Sequence, residues 1–189
     1  MIDLVTEAHQ FQLLCQRMGW QFCFIGGLSV QHWGEPRLTR DVDVTILTGF
    51  GAEQDFVSAI LKSYKARRHD AEEFALQHRV LLVESSSGIG LDISLGALPF
   101  EEQMVSRAAN VEFLPGIQLR LCSPEDLIVL KSFANREQDW LDVASVVVRQ
   151  GSDSLDWDYI VSNLKPLVAL KEEPAIIDRL TALRRPGRP

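Results

Sequence analysis

A chain of 189 residues and 21.3 kDa has room for one domain, or for one domain with a small helical appendage. Its 46% hydrophobic and 24% charged residues suit a globular protein with a real core and exclude disorder as the dominant state. Lys and Arg total 19 against 26 Asp and Glu, and the net charge of −7 excludes a general polyanion binder while leaving local basic patches free to meet phosphates. No run approaches the roughly 18 consecutive apolar residues of a membrane span. The start MIDLVTEAHQF lacks a basic region followed by an apolar stretch, so neither a signal peptide nor a membrane partner is expected. Cys15, Cys23 and Cys122 are odd in number and form no CxxC pair, which disfavours a disulfide framework or a thiolate zinc site and makes the cytoplasm the expected location.

The apolar spacing of Leu4, Val5, Ala8, Phe11, Leu14, Cys15 and Met18 predicts a helix over Ile2 to Met18. Gln21 to Ile25 is a short apolar run ended by Gly26-Gly27, a buried strand entering a tight turn. Leu28 to Trp33 follows as a short helix stopped by Gly34 and Pro36, and Val42 to Leu47 alternates as a second strand. A helix is expected over Glu53 to Tyr64, then strands over Arg79 to Glu84 and Ile89 to Leu95, a helix over Phe100 to Ala108, and a hairpin across Pro115-Gly116. Ser123-Pro124-Glu125-Asp126 is a strong helix start, with a serine cap, proline at the first position and acids at the positive end of the dipole. Helices are expected at 124–135, 137–149, 155–164 and 174–184, and a frayed end in the basic tail that begins at Arg184. The order is mixed α/β first and all-α last.

The stretch FIGGLSVQHWGEPRLTRDVDVTI carries the chemistry. On a strand, residues i and i+2 share a side, so Asp41 and Asp43 point together while Val42 and Val44 enter the core. Two carboxylates held that close repel, and a divalent cation such as Mg²⁺ or Mn²⁺ removes the cost. A Gly26-Gly27 turn without Cβ atoms lets backbone N–H groups approach a phosphate at a helix N-terminus. Alone, each element has an ordinary reading as a tight turn or as solvated surface. Together, with thirteen residues between Gly27 and Asp41, they are far more specific.

Gly26-Gly27 followed by Asp41-Val42-Asp43-Val44 resembles the signature of the nucleotidyltransferase superfamily that includes DNA polymerase β. That superfamily places a third acid on a later strand, and Gly90-Leu91-Asp92-Ile93-Ser94 supplies one in Asp92. A closer resemblance is to the AbiEii-like nucleotidyltransferase toxins, through Gly34, Arg37, Thr39, Arg40, Asp41 and Asp43, and then Ser123-Pro124-Glu125-Asp126-Leu127, Lys131, Arg136, Asp139 and Asp142. It runs from about Phe24 to Val148. It implies an α/β (α+β) fold, a nucleotidyltransferase-type mixed sheet flanked by helices, with the core in 1–122 and a helical region in 123–189 packed on it.

The function it implies is metal-dependent transfer of a nucleoside monophosphate from an NTP to a hydroxyl, toxin-like, on a tRNA 3′ end or a protein, with a cognate antitoxin as partner. A non-catalytic antitoxin or partner-binding module, or an antibiotic-modifying enzyme, are the alternatives. In such chemistry positioning and charge neutralisation dominate. Asp41 and Asp43 would hold the nucleotide-bound metal, and Asp92 would join them at a second metal that activates the hydroxyl. Gly26 and Gly27 would frame the β and γ phosphates, Ser29 would add a donor, and Lys131 would meet the leaving pyrophosphate. Arg37 and Arg40 either meet a phosphate or balance Glu35 and the aspartates. Lys131, Asn135, Asp139 and Asp142 form one polar face if their helix is continuous, whereas Glu137-Gln138 marks a break if it is not. Trp33 packs in the core or stacks on a base; Lys65, Arg67 and Arg68 form either a solvated cluster or an RNA-backbone contact. His32, His69 and His78 lack zinc-ligand spacing.

Overall fold

The structure, a computed structural model, describes residues 2–184, and the tail 185–189 lies outside the described residues. The chain divides into two compact units, Met1–Leu28 with Leu38–Cys122, and Ser29–Arg37 with Ser123–Pro189.

The first unit holds seven strands in one mixed sheet. In chain order they are β1 (Phe22–Phe24), β2 (Asp41–Leu47), β3 (Lys65–Ala66), β4 (Val80–Glu84), β5 (Gly90–Gly96), β6 (Ala109–Leu114) and β7 (Ile117–Leu121). Their spatial order is β3-β4-β5-β2-β1-β7-β6. β2 lies near the middle, antiparallel to β1 and parallel to β5, and the β2–β5 register runs without a slip from Asp41 opposite Gly90 to Leu47 opposite Gly96. β1 is buried at all three residues because neighbours flank it on both edges and both faces are covered, so its sequence shows no alternation. The helices of this unit are α1 (Ile2–Met18), α3 (Glu53–Ile60), α4 (Ala71–His78) and α5 (Pro99–Arg107). α1 buries the stripe Leu4, Val5, Ala8, Phe11 and Cys15, and Asp3 and Arg17 complement its dipole at the two ends. That stripe joins one core with Phe24, Val42, Val44, Ile46, Leu91, Ile93 and Leu121.

Two elements of this unit carry no local sequence signal. The expected helix 53–64 stops at Ile60, whose carbonyl takes the N–H groups of both Ser63 and Tyr64 at 3.0 Å, and β3 and α4 follow. A two-residue strand has no periodicity to detect, and α4 buries only Ala71 and Ala75.

α2 (Gly26–Trp33) carries the division between units within its length. The second unit adds α6 (Pro124–Ala134), α7 (Glu137–Gln150), α8 (Trp157–Lys171) and α9 (Ala175–Arg184), with α6 packed on both α7 and α8. Ser123 caps α6 as its sequence indicates, its Oγ accepting the Asp126 N–H at 3.2 Å. α8 runs seven residues past the expected end at 164 and includes Pro166, because Ile160, Leu164 and Val168 bury one continuous face on either side of it. The segment 29–37, assigned from sequence to the first region, groups with the helices. Three bonds from α7 hold it: Gln150 to the Trp33 carbonyl at 2.6 Å, Arg149 to the Gly34 carbonyl at 2.5 Å, and Ser145 Oγ accepting from Glu35 N–H at 3.1 Å. Among the described residues no helix is long and apolar enough to cross a membrane.

Candidate active site

The site begins where β1 hands over to α2. Gly26 sits in the left-handed region at φ +58°, and a Cβ there would collide with the Asp43 carboxylate. A Cβ on Gly27 would collide with the side chain of Thr39. The glycine pair therefore exists to let the entry of β2 press against the turn. Backbone bonds lock the approach: Ile25 N–H donates to the Asp43 carbonyl at 3.0 Å, and Gly27 N–H donates to Asp43 Oδ2 at 3.2 Å. These N–H groups are expected from the sequence to face phosphate, whereas here the Gly27 N–H orients an aspartate. Ser29, one turn further on, is fully buried, and Arg40 is exposed immediately before β2.

Asp41 and Asp43 stand on one side of β2, with Val42 and Val44 fully buried on the other. Parallel pairing sets Asp92 of β5 directly opposite Asp43. Three carboxylates from two adjacent strands thus share one sheet face. Arg67, which follows β3, reaches two of them: its Nη1 lies 3.5 Å from Asp41 Oδ1, and its Nη2 is ion-paired with Asp92 Oδ1. Gly90, opposite Asp41, leaves the space this needs, since a Cβ there would collide with Asp41 and stand 2.7 Å from Arg67 Nη1. Among the described residues no group of three or more His, Cys, Asp or Glu side chains is arranged around one point as metal ligands would be. The physical reason lies in the same contacts. Asp43 is turned to the Gly27 N–H and Arg67 draws Asp41 and Asp92 to itself, so the repulsion that a divalent cation would relieve is relieved by a guanidinium. The donor set suits a hard cation: three carboxylates, two of them already sharing one positive group.

In the second unit, Lys131 is buried on α6. Its Nζ lies 3.0 Å from Asp139 Oδ1 and 2.9 Å from Asp142 Oδ2, both buried on α7. Arg37 makes a two-pronged pair with Asp142 at 2.7 and 2.8 Å, and Arg136 Nε meets Asp139 Oδ2 at 2.6 Å. Burial alone would raise the pKa of both aspartates. The hydrogen bonds from Arg136 and Lys131 at Asp139, and from Arg37 and Lys131 at Asp142, outweigh it and hold both below the usual carboxylate range. The polar residues lie on two helices, as the break alternative allows, with the break falling at Asn135 and Arg136. Asn135 adopts φ +60° and ends α6, the chain turns at Arg136, and the turn folds α7 back so that Asp139 and Asp142 reach Lys131. Lys131, Asp139 and Asp142 are buried, and Asn135 is half-buried.

The family described as "Nucleotidyltransferase of unknown function (DUF6036)" matches residues 1–174. The chain belongs to it. Among solved structures, an antigenic nucleotidyltransferase-like protein from Paracoccidioides brasiliensis aligns at TM-score 0.54 and 16% identity, covering 95% of this chain and 92% of that one. The antibiotic-resistance factor ANT(2'')-Ia aligns at TM-score 0.58 and 13% identity, covering 89% of this chain and 94% of that one. At these identities the likeness is one of fold. Among curated proteins none matches.

In this nucleotidyltransferase the fold brings Gly26, Gly27, Asp41, Asp43 and Asp92 together in the first unit, and holds Lys131 in an ion network of the second. Two participants lay outside the expected site set. Thr39 is the wall behind Gly27, and its signal was its place in the Arg-x-Thr-x-Asp spacing before β2. Arg67 is paired with two of the acids, and its only signal was a basic cluster that reads as surface. Its neighbours are otherwise engaged: Lys65 with Glu84 at 2.6 Å, and Arg68 with Asp70 at 2.8 Å while lying over the Phe74 ring at 4.2 Å. Trp33 is half-buried and packs edge-on against His32, whose pKa is held below the usual range by burial and by Arg149.

Proposed function

We propose that this nucleotidyltransferase moves a nucleoside monophosphate from an NTP to a hydroxyl acceptor, with a divalent cation held by Asp41, Asp43 and Asp92. The observation that carries the reading is the pairing of Asp43 with Asp92 on parallel strands, with Asp41 two residues away on the same face and the glycine turn pressed against Asp43. A bound Mg²⁺ or Mn²⁺ supplies neutralisation of the polyphosphate and a lowered pKa for the attacking hydroxyl. The chain's own part is to position. Gly26 and Gly27 let Asp43 and Thr39 press close against the turn, the Gly27 N–H and the β2 backbone fix Asp43, and Arg40 is an exposed cation beside the acids for phosphate. Lys131 in this reading orders Asp139 and the Arg37–Asp142 pair.

For the acceptor, the residue pattern shared with AbiEii-like toxins supports a tRNA 3′ end or a protein hydroxyl, with a cognate antitoxin as partner. An antibiotic acceptor is the second reading, favoured by the near-complete overlap in length with the antibiotic-resistance factor ANT(2'')-Ia. Incubation with each α-labelled NTP and Mg²⁺, in separate arms with total RNA, total protein or a panel of hydroxylated antibiotics, tests both. Label in the RNA or protein arm supports the toxin-like branch, and label in the antibiotic arm supports the second. Absence of label from every arm, together with absence of metal-dependent NTP binding, overturns the proposal.

A further inference from the structure

Arg67 occupies a position that no reading of the motif assigns to it. Its backbone N–H donates to the Leu82 carbonyl at 3.0 Å, which tacks the chain after β3 onto the edge of β4. Leu82 pairs across β4 and β5 with Asp92, so the Arg67 backbone is docked two strand spacings, roughly 10 Å, from the acid it pairs with. Only a long side chain spans that gap, and a guanidinium has donors enough to serve two carboxylates at once. Its side chain is 27% exposed, against 47% for Asp41 and 39% for Asp92, so solvent and ions reach the acids from outside while Arg67 covers them from the β4 side.

We propose that Arg67 is the resident counter-ion of the acid site, and that a divalent cation engages Asp41 and Asp92 only by displacing it. This rests on the reading of the three aspartates as the cation site. Two positive groups cannot share Asp41 and Asp92 at this range without mutual repulsion, so each weakens the other's hold. Arg67 thereby sets how much cation the site takes up before nucleotide arrives, and it keeps three facing carboxylates tolerable in the metal-free fold. A nucleotide polyphosphate, bringing negative charge to the same place, gives the displaced guanidinium a new partner and so favours uptake of cation and nucleotide together.

Mn²⁺ binding to the whole chain, followed by electron paramagnetic resonance and calorimetry without nucleotide, tests the idea in wild type, Arg67→Gln, Arg67→Lys and Asp92→Asn, each first checked by circular dichroism for a native spectrum. Arg67→Gln binds Mn²⁺ about tenfold more tightly than wild type, Arg67→Lys stays near wild type because it keeps the charge, and Asp92→Asn binds more weakly. Arg67→Gln also lowers the metal-free melting temperature, and saturating Mn²⁺ recovers the loss. Equal or weaker Mn²⁺ affinity in Arg67→Gln, with Asp92→Asn still impaired, overturns the role of Arg67 and leaves the cation site standing. Mn²⁺ binding indifferent to both Asp92→Asn and Arg67→Gln overturns the cation site itself and this inference with it.

Discussion

Replacing Lys131 with methionine removes one positive charge from between two carboxylates that are only 1% and 2% exposed, those of Asp139 and Asp142. Breaking a buried ion pair by deleting one partner costs about 3–5 kcal/mol, because the remaining charge stays desolvated. Here each aspartate keeps an arginine, Arg136 for Asp139 and Arg37 for Asp142, so the lower end, about 3 kcal/mol, is the expected loss. In a chain of this length that lowers the melting temperature by roughly 6–12 °C. The pH dependence has a definite sign. Both aspartates have pKa values depressed by folding, so their contribution is present above the unfolded carboxylate pKa and is lost as pH falls through the lower folded value. The gap between wild type and Lys131→Met is therefore full near pH 7 and narrows once the pH drops below about 4, the ordinary carboxylate range. Thermal melts followed by circular dichroism at several pH values measure it. A variant that melts with wild type at pH 7 yet loses NTP affinity would remove Lys131 from the buried ion network and return it to the phosphates.

Gly26→Ala forces a side chain into the left-handed region and against the Asp43 carboxylate; it costs about 2–4 kcal/mol and removes metal-dependent NTP binding, as differential scanning fluorimetry with and without NTP will register, and an unchanged melting curve would reduce the turn to a mere connection. Asp92→Asn lowers turnover with NTP affinity little changed, whereas Asp43→Asn loses both; equal loss of NTP binding in the two variants, by calorimetry, contradicts the division of roles. Cys15, Cys23 and Cys122 are all buried, and burial pushes the Cys15 thiol up to about 12, so native protein at pH 8 resists iodoacetamide at Cys15, and rapid alkylation there, read by mass spectrometry, would count against the packing of α1.

The elements that the sequence announced are those with strong local signals. The stripe of α1, the alternation of β2 and the Ser-Pro-Glu-Asp start of α6 each encode their own boundary, and they appear where expected. The site's frame was legible for the same reason, since Asp41 and Asp43 are two residues apart on one strand. What stayed hidden depends on distance in space. Asp92 is marked as the third acid only through the family resemblance; its opposition to Asp43 needs the β2–β5 register, 49 residues apart along the chain, which no local pattern fixes. Arg67 is placed by a two-residue strand pairing with β4, so a charge that reads as surface from its neighbours is delivered to the acids. The purpose of the glycine pair was read only in part, because the carboxylate and hydroxyl that crowd it come from residues 12 to 17 positions later.

If the acids of β2 and β5 direct transfer of the nucleotidyl group, the α phosphate and not the γ phosphate reaches the acceptor. Parallel incubations with NTP labelled at the α or at the γ phosphate, with Mg²⁺ and the acceptor pool that accepts label, test it most directly. Acceptor label is expected from α-labelled NTP alone, with γ label recovered in pyrophosphate and no transfer by Asp43→Asn. Transfer of γ label to the acceptor, or α transfer undiminished in Asp43→Asn, would contradict it.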